Sequence, residues 1–302
     1  DRIRGLEFRR VLFRSDTTQL DPKYHRVWEL VNEWGNNRNL SKAELEKAVL
    51  SYVNLDGSDL SYANLRGAKL DHTQLVGTSF AHADCTGADF SNARIQQTKF
   101  EYCNLEKTIL YGLDLRECDL SFVNLTGIEY DEGTRFTSKW RQVMEFINFG
   151  CVRQNHAEID LSQAYLVGAK MSYAILTGTN LAGALLDRAD LWSADLTDAV
   201  LDGCQMIKTG LRWAKLHHAK FINTNLTSAN LFGAELNGAI LQNANLTDAD
   251  LEGAKLDDCD LTGANLTRVR LVGARISQKQ LLSASAIAGA ILPDGRIIPE
   301  KS

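Results

Sequence analysis

The chain is poor in proline and cysteine and has no long apolar run. Three of its 302 residues are proline and six are cysteine, and no Gly-X-Y register is present, which excludes collagen and a disulfide-stapled scaffold. No stretch approaches the ~20 consecutive apolar residues of a membrane-spanning helix. Neither sign of charge dominates, because 33 basic and 38 acidic residues give a net charge of −5. This balance argues against a protein held to nucleic acid by a general basic field. The cysteine spacing matches no zinc pattern and favours a reduced, cytoplasmic setting.

A large apolar residue stands at every fifth position over most of the chain. One series runs from Leu45 to Tyr130, and a second, displaced by one residue, runs from Leu161 to Leu281. The residue two places earlier is small, most often alanine, and glycine is common two places later. Neither regular element explains this period. Side chains five residues apart in a helix are spread around its axis and form no common face. In a straight strand, successive large residues of the series would point to opposite sides because five is odd.

A short extended piece followed by a corner does explain the period. Within each five, the small residue and the large residue are two apart and therefore point the same way, inward. The remaining residues turn the corner, where glycine or a small polar residue tolerates the required dihedral angles. Such a path closes into a solenoid whose coils pair at ~4.8 Å. We expect a rigid rod filled by its own leucines, with almost no interior space.

The repeats resemble those of a known family. Stretches such as SYANLRGAKL and LQNANLTDADLEGAKLDDCDLTGANL are similar to the pentapeptide-repeat motif A(D/N)LXX over residues 41–130 and 159–281. The resemblance implies a right-handed, four-sided parallel β-helix, an all-β solenoid with four pentapeptides per coil. Tyr62, His82, Tyr102 and Phe122 recur at steps of twenty residues, which favours four sides over three.

Segments outside the repeats are predicted to cap the rod. Residues 16–40 carry apolar residues at helical spacing and are predicted to form an N-terminal capping helix. Ser277 and Gln280 have the spacing of a capping box, which predicts a short helix to about residue 286 that leads into a C-terminal cap over 282–302. Residues 1–15 have no relation to the rest and are interpreted as non-native sequence or as a disordered basic tail.

The repeats are interrupted at residues 131–158. Trp140 and Val143 share one helical face there, and Thr137 or Ser138 is a suitable N-cap. This predicts a short helical insertion. Two interpretations stay open: the helix packs on the rod or between two halves of it to hide its apolar face, or it protrudes and binds a partner.

Residues capable of catalysis or metal binding do not form a recognisable site. His217 and His218 are predicted on an outward side, and the aspartates that precede the leucines exchange freely with asparagine instead of following a calcium-loop order. Four cysteines take the small inward position: Cys103, Cys118, Cys204 and Cys259. A filled solenoid offers no pocket. We therefore predict no enzymatic activity, cofactor, metal or small-molecule substrate.

Outward aromatic residues carry the functional hypothesis. The candidate protein-interaction residues are Tyr62, Tyr102, Phe122, Trp140, Tyr173, Trp192, Trp213 and Phe232. Exposed aromatic stripes on a rigid wall are typical of a binding or dimer surface, although such rings also cover neighbouring segments or stack between coils. We predict a non-enzymatic scaffold that binds another protein or a copy of itself, without direct contact with nucleic acid or membrane.

An alternative function comes from the resemblance alone. Some members of the family mimic the shape and charge of duplex DNA and bind DNA gyrase. Between residues 159 and 281, however, the acidic and basic residues nearly balance. The acidic wall that mimicry would use consists of Asp195, Asp198, Glu235, Asp257 and Asp258. Three basic residues interrupt it: Lys215, Lys255 and Arg275.

Overall fold

A computed structural model describes residues 36–300. The predicted tail 1–15 and nearly all of the predicted capping helix 16–40 lie outside the described residues. The chain winds into a β-solenoid in which parallel bridges join residues 20 apart, beginning with Asn39 and Asp59 and reaching Lys255 and Arg275. Since one repeat has five residues, each coil holds four repeats.

One repeat shows how the backbone groups are satisfied. The Leu60 N–H donates to the Ser79 carbonyl of the next coil at 2.8 Å, and the Asn64 N–H donates to the Ala43 carbonyl of the previous coil at 2.9 Å. Between them, the Ala63 N–H closes a turn onto the Leu60 carbonyl at 3.1 Å. Every repeat is therefore tied to both neighbours, as buried backbone requires.

The turn explains the glycines of the motif. Its third residue lies in the left-handed region, with φ of 61° at Tyr62 and 63° at Gly67. Only glycine adopts this conformation without a steric cost. Non-glycine residues occupy the position at many other turns, including Trp213 and Arg268, so the ladder of hydrogen bonds holds them there.

The large residues of the two series fill the rod as predicted from Leu45 to Leu125 and from Leu161 to Leu271. Leu181, Leu201 and Phe221 have no exposed surface, and the small residues between them, such as Ala184, are equally buried. Where the small residue is threonine, its hydroxyl is satisfied inside the rod; the Thr224 Oγ1 donates to the Leu201 carbonyl at 2.7 Å. Each buried leucine contributes roughly 1.5–3 kcal/mol of transfer free energy.

The change of phase between the two series occurs at Asp131, before the helix. The bridge from Asp114 to Arg135 spans 21 residues instead of 20. The Asp131 carboxylate replaces a backbone carbonyl here: its Oδ1 accepts from the Gly112 N–H at 2.9 Å and from the Gly133 N–H at 3.1 Å. The assignment of Tyr130 to the inward series is wrong, because its side chain is 46% exposed beside this wider turn.

Helix α1 comprises Ser138–Phe149. Thr137 is its N-cap residue, without a side-chain capping bond. Its buried side chains join the core of the rod: Trp140, Val143, Met144 and Phe146. Asn148 continues the ladder at the end of α1, where its Oδ1 accepts from the Gly127 N–H at 2.6 Å and its Nδ2 donates to the Leu125 carbonyl at 3.2 Å.

The coils continue on the far side of α1. The Phe122 N–H donates to the Gln163 carbonyl at 2.8 Å, which joins the last turns before α1 directly to the coils after it. The ladder resumes at Cys151, whose N–H donates to the Lys170 carbonyl at 2.9 Å. The repeats thus resume earlier than residue 159. Their signal was missed because a histidine, His156, takes the inward position there.

The C-terminal end closes with helix α2, Gln278–Ser283. The capping box predicted at Ser277 and Gln280 is present, although the helix ends at Ser283 and not near residue 286. The chain then rejoins the solenoid through bridges of Asn265 with Ala286 and Arg270 with Ile291, and an antiparallel bridge from Ile291 to Ile297 completes it. No helix between residues 36 and 300 is long and apolar enough to cross a lipid bilayer.

Candidate interaction surface

The turns of successive coils stack into straight edges along the rod. Because each turn lies 20 residues from the next, the two residues that follow a large inward residue project from the same edge in every coil. Two such edges carry most of the predicted aromatic residues. We name them the tyrosine edge (Tyr62, His82, Tyr102 and Phe122) and the tryptophan edge (Tyr173, Trp192, Trp213 and Phe232).

The tyrosine edge is a continuous ring stack. The Tyr62 and His82 ring centroids are 4.7 Å apart, those of His82 and Tyr102 4.8 Å, and those of Tyr102 and Phe122 4.3 Å, with planes within 7° of parallel. The spacing matches the ~4.8 Å rise between coils. Although Tyr62 and Tyr102 remain 57% and 40% exposed, their ring faces are occupied by neighbouring rings, and this edge fits the interpretation of a ladder that stabilises neighbouring coils.

The tryptophan edge is arranged differently. Tyr173 and Trp192 have tilted rings with centroids 5.0 Å apart, and Trp213 and Phe232 form an edge-on pair at 5.2 Å. Trp213 lies flat over the next turn, where a Cβ on Gly233 would come within 2.4 Å of its ring. Trp192 and Trp213 nevertheless remain 44% and 52% exposed, so much of their surface faces solvent.

Arginine and further apolar residues extend the tryptophan edge. The guanidinium of Arg153 lies 5.1 Å from the Tyr173 ring, and that of Arg212 lies 5.2 Å from the Phe232 ring, within the range of cation–π attraction. Three exposed apolar side chains lie close by in the chain: Phe149, Val152 and Ile175. Tryptophan, tyrosine and arginine are the residues most enriched in the energetic centres of protein interfaces.

The two edges lie on opposite sides of the rod. The tyrosine edge continues after α1 at Gln163, which receives the hydrogen bond of Phe122. Tyr173 follows Gln163 by two repeats, which is half of a four-repeat coil. The predicted residues therefore form two separate surfaces, and a flat partner can contact only one of them.

Trp140 belongs to neither surface. Only 8% of it is exposed, because α1 turns this side chain into the core. Its prediction as an interaction residue is corrected accordingly. A stacked pair that sequence reasoning missed, Tyr52 and His72 at 4.8 Å, lies on the same line of turns as the tryptophan edge but before α1. Counting steps of twenty from Tyr52 would have found it.

Several groups that often mark catalysis are buried or paired, whereas His218 is exposed. Burial raises the pKa of the Cys118, Cys151, Cys204 and Cys259 thiols to about 12, so they stay protonated at neutral pH. Glu235 bonds Lys255 at 2.7 Å and His217 at 3.0 Å, and these bonds, led by that from Lys255, lower the pKa of its carboxyl group. Across residues 36–300 no cluster of three metal-ligating side chains is found.

The fold and its five-residue period define a solenoid repeat protein built on a β-helix. The profile described as pentapeptide repeats matches eight copies, over residues 36–61, 58–97, 93–128, 153–181, 174–209, 211–248 and 244–278. The chain therefore belongs to the pentapeptide-repeat family, as the sequence predicted. Members of this family are generally structural and interaction proteins with a right-handed β-helix. The unmatched residues 129–152 contain α1.

Several solved structures of pentapeptide-repeat proteins are similar to the chain. HetL from the cyanobacterium Nostoc sp. strain PCC 7120, involved in heterocyst differentiation regulation, is 25% identical over 91% of this chain and 96% of its own, with a TM-score of 0.26. Rfr23 from the cyanobacterium Cyanothece 51142 is 28% identical over 45% and 87%, with a TM-score of 0.23. QnrB1, a plasmid-mediated fluoroquinolone resistance protein, is 15% identical over 80% and 90%, with a TM-score of 0.26. No curated protein matches the chain.

Proposed function

We propose that the protein is a non-enzymatic, rigid scaffold that binds a protein through its tryptophan edge. The observation that carries the proposal is the exposure of two tryptophans, Trp192 and Trp213, on one line of turns and flanked by arginines. Backbone hydrogen bonds hold the turns in place on both sides, so the side chains are presented without a large cost of ordering on binding.

The proposal includes the finer shape of the scaffold. Four repeats per coil support a four-sided cross-section, with α1 as a helical insertion between a first block that starts near residue 36 and a second block that starts near residue 151. Residues 278–300 then form the C-terminal cap. The six cysteines are free and buried, and the Cys103 thiol donates a hydrogen bond to the Cys85 sulfur at 3.7 Å without a disulfide between them, which fits a cytoplasmic setting.

The two tryptophans can be removed without loss of the core, which makes the proposal testable. A tagged chain carrying W192S and W213S should recover less of a bound protein from native cells than the unchanged chain. Both changes lie at outward turn positions and leave the inward series intact, so the far-UV circular dichroism should stay close to that of the unchanged protein.

The matched control removes two rings from the tyrosine edge, Y62S with Y102S. It should leave binding intact, because these rings are stacked on each other. Binding that survives the tryptophan changes and disappears with the tyrosine changes would move the surface to the opposite side of the rod. Binding unaffected by either pair would refute an aromatic interaction surface.

Gyrase binding by DNA mimicry is the second candidate function. Its support is the rod shape and the net charge of −5. Three of the five carboxylates on the acidic wall are neutralised by ion pairs: Asp195 with Lys215, Glu235 with Lys255, and Asp257 with Arg275. Duplex DNA presents an uninterrupted line of charge, so we favour the scaffold. Inhibition of gyrase supercoiling by added protein would reverse this preference.

A further inference from the structure

The tryptophan edge has a twofold pattern along its length. Each coil contributes one level of two turn residues, and consecutive levels are joined by backbone hydrogen bonds, for example from Ser193 N–H to the Arg212 carbonyl at 2.8 Å. With one flanking level at each end, the tryptophan edge spans six levels: 152–153, 172–173, 192–193, 212–213, 232–233 and 252–253. Five steps of ~4.8 Å make this stretch ~24 Å long, and its midpoint lies between levels 192–193 and 212–213.

The aromatic residues are symmetric about this midpoint. Each of the two central levels holds one tryptophan, and the next level outward on either side holds one further ring, Tyr173 on one side and Phe232 on the other. An identical edge running in the opposite direction would therefore place a tryptophan level against a tryptophan level. The tyrosine level would meet the phenylalanine level at both ends.

The charges are complementary about the same midpoint. The outermost levels carry Arg153 at one end and, at the other, Glu252, which also pairs with Arg270 of its own chain. Beside the central levels, Asp195 and Lys215 lie one coil apart and form an ion pair at 3.7 Å. In two antiparallel copies, Arg153 of one would stand at the level of Glu252 of the other, and Asp195 of one at the level of Lys215 of the other. Such complementarity fixes register and orientation.

We infer that a second copy of this chain occupies the tryptophan edge, antiparallel to the first and related to it by a twofold axis through the midpoint. This inference rests on the proposed function and names the partner. A homodimer with one self-complementary patch on each subunit is the commonest closed assembly. The parallel arrangement is disfavoured because it would set Arg153 against Arg153, like charges at the same level.

The size of the protein in solution is the first measurement. Sedimentation equilibrium of the unchanged chain should show a monomer and a dimer in exchange at low micromolar concentration, since an edge ~24 Å long belongs among the smaller interfaces. W192S with W213S should raise the dissociation constant by more than ~10-fold. Y62S with Y102S should leave it unchanged. A chain that stays monomeric at ~100-fold higher concentration than the expected constant overturns the inference.

Cross-linking then tests the orientation. All six native cysteines are buried, so an introduced surface thiol reacts without background. R153C and E252C proteins of distinguishable mass are mixed and oxidised. The antiparallel dimer predicts disulfides that join one R153C chain to one E252C chain, with few between identical chains. A182C, at a turn on the opposite side of the rod, is the control and should not cross-link.

The outcomes separate this inference from the proposed function. A dimer whose R153C chains cross-link mainly to each other would overturn the antiparallel arrangement. A monomeric chain whose capture of another protein still depends on Trp192 and Trp213 would overturn the inference and leave the binding surface standing. A monomer whose tryptophan changes affect no binding would remove both.

Discussion

Leu185 and Leu186 are adjacent, identical in size and placed on opposite sides of the backbone wall. Leu186 belongs to the inward series and has no exposed surface, whereas Leu185 is an outward, half-buried residue that bridges Tyr165 and Gln205. Replacing each with alanine in turn removes the same atoms from the two sides. The pair therefore tests the five-residue period with a built-in control.

The expected difference follows from how the core can respond. At Leu186 the backbone is hydrogen-bonded to the coils on both sides, for example from its N–H to the Gln205 carbonyl at 2.7 Å, so the coil cannot collapse into the cavity that L186A creates. A loss near the upper end of the range for buried leucines, about 3–5 kcal/mol, is expected. L185A should cost less than ~1 kcal/mol, as for most surface changes.

Urea unfolding gives the total change, and hydrogen exchange gives its location. Since solenoid coils interact only with their neighbours and can open locally, amides of the coils around Leu186 should lose protection in L186A and keep it in L185A. Equal losses for the two variants, or a larger loss for L185A, would show that the side chains do not alternate as the structure has them.

Two further predictions use single residues with matched controls or a defined pH window. Gly233 and Gly253 have the same φ of 66°, but only at Gly233 would a Cβ meet the Trp213 ring. G253A should cost ~1–2 kcal/mol for the left-handed turn. G233A should cost more, and of the two variants only G233A should shift the tryptophan fluorescence. Hydrogen bonds from Arg116 lower the pKa of Asp114 to about 2. The stabilisation by this pair is fully present above 3.8, the pKa of the carboxyl group in the unfolded chain, and is lost as the pH falls towards 2. The unfolding temperature of D114N should therefore change less with pH across that window than the unfolding temperature of the unchanged protein.

The core was predictable because burial imposes one rule on every repeat. A large residue at each fifth position and a small one two places earlier suffice to identify the inward face, and Leu181 and Leu201 occupy it as expected. The five-residue pattern is broken where a polar side chain occupies a position that the pattern assigns to the backbone or to an apolar residue. The Asp131 carboxylate accommodates the extra residue of the wider turn, and His156 fills an inward position without an apolar side chain.

The candidate surface was less predictable than the core. Aromatic residues at turn positions could be recognised from the sequence, but their edges could not be placed around the rod until the Phe122–Gln163 hydrogen bond fixed how the coils pass α1. The burial of Trp140 depends on the rotation of α1 against the core, which a helical pattern alone does not determine. The symmetry of the tryptophan edge emerges only from the stacking of levels.

The spacing between coils is the most direct test of the whole account. Arg188 and Arg268 project from the same line of turns, 80 residues apart in sequence and four coils apart in space. Nitroxide labels attached through R188C and R268C, against a background of buried native cysteines, should report a backbone separation of ~19 Å. A separation of ~26 Å or more, as a three-sided coil of fifteen residues would give at the same rise, would contradict the coil of four repeats.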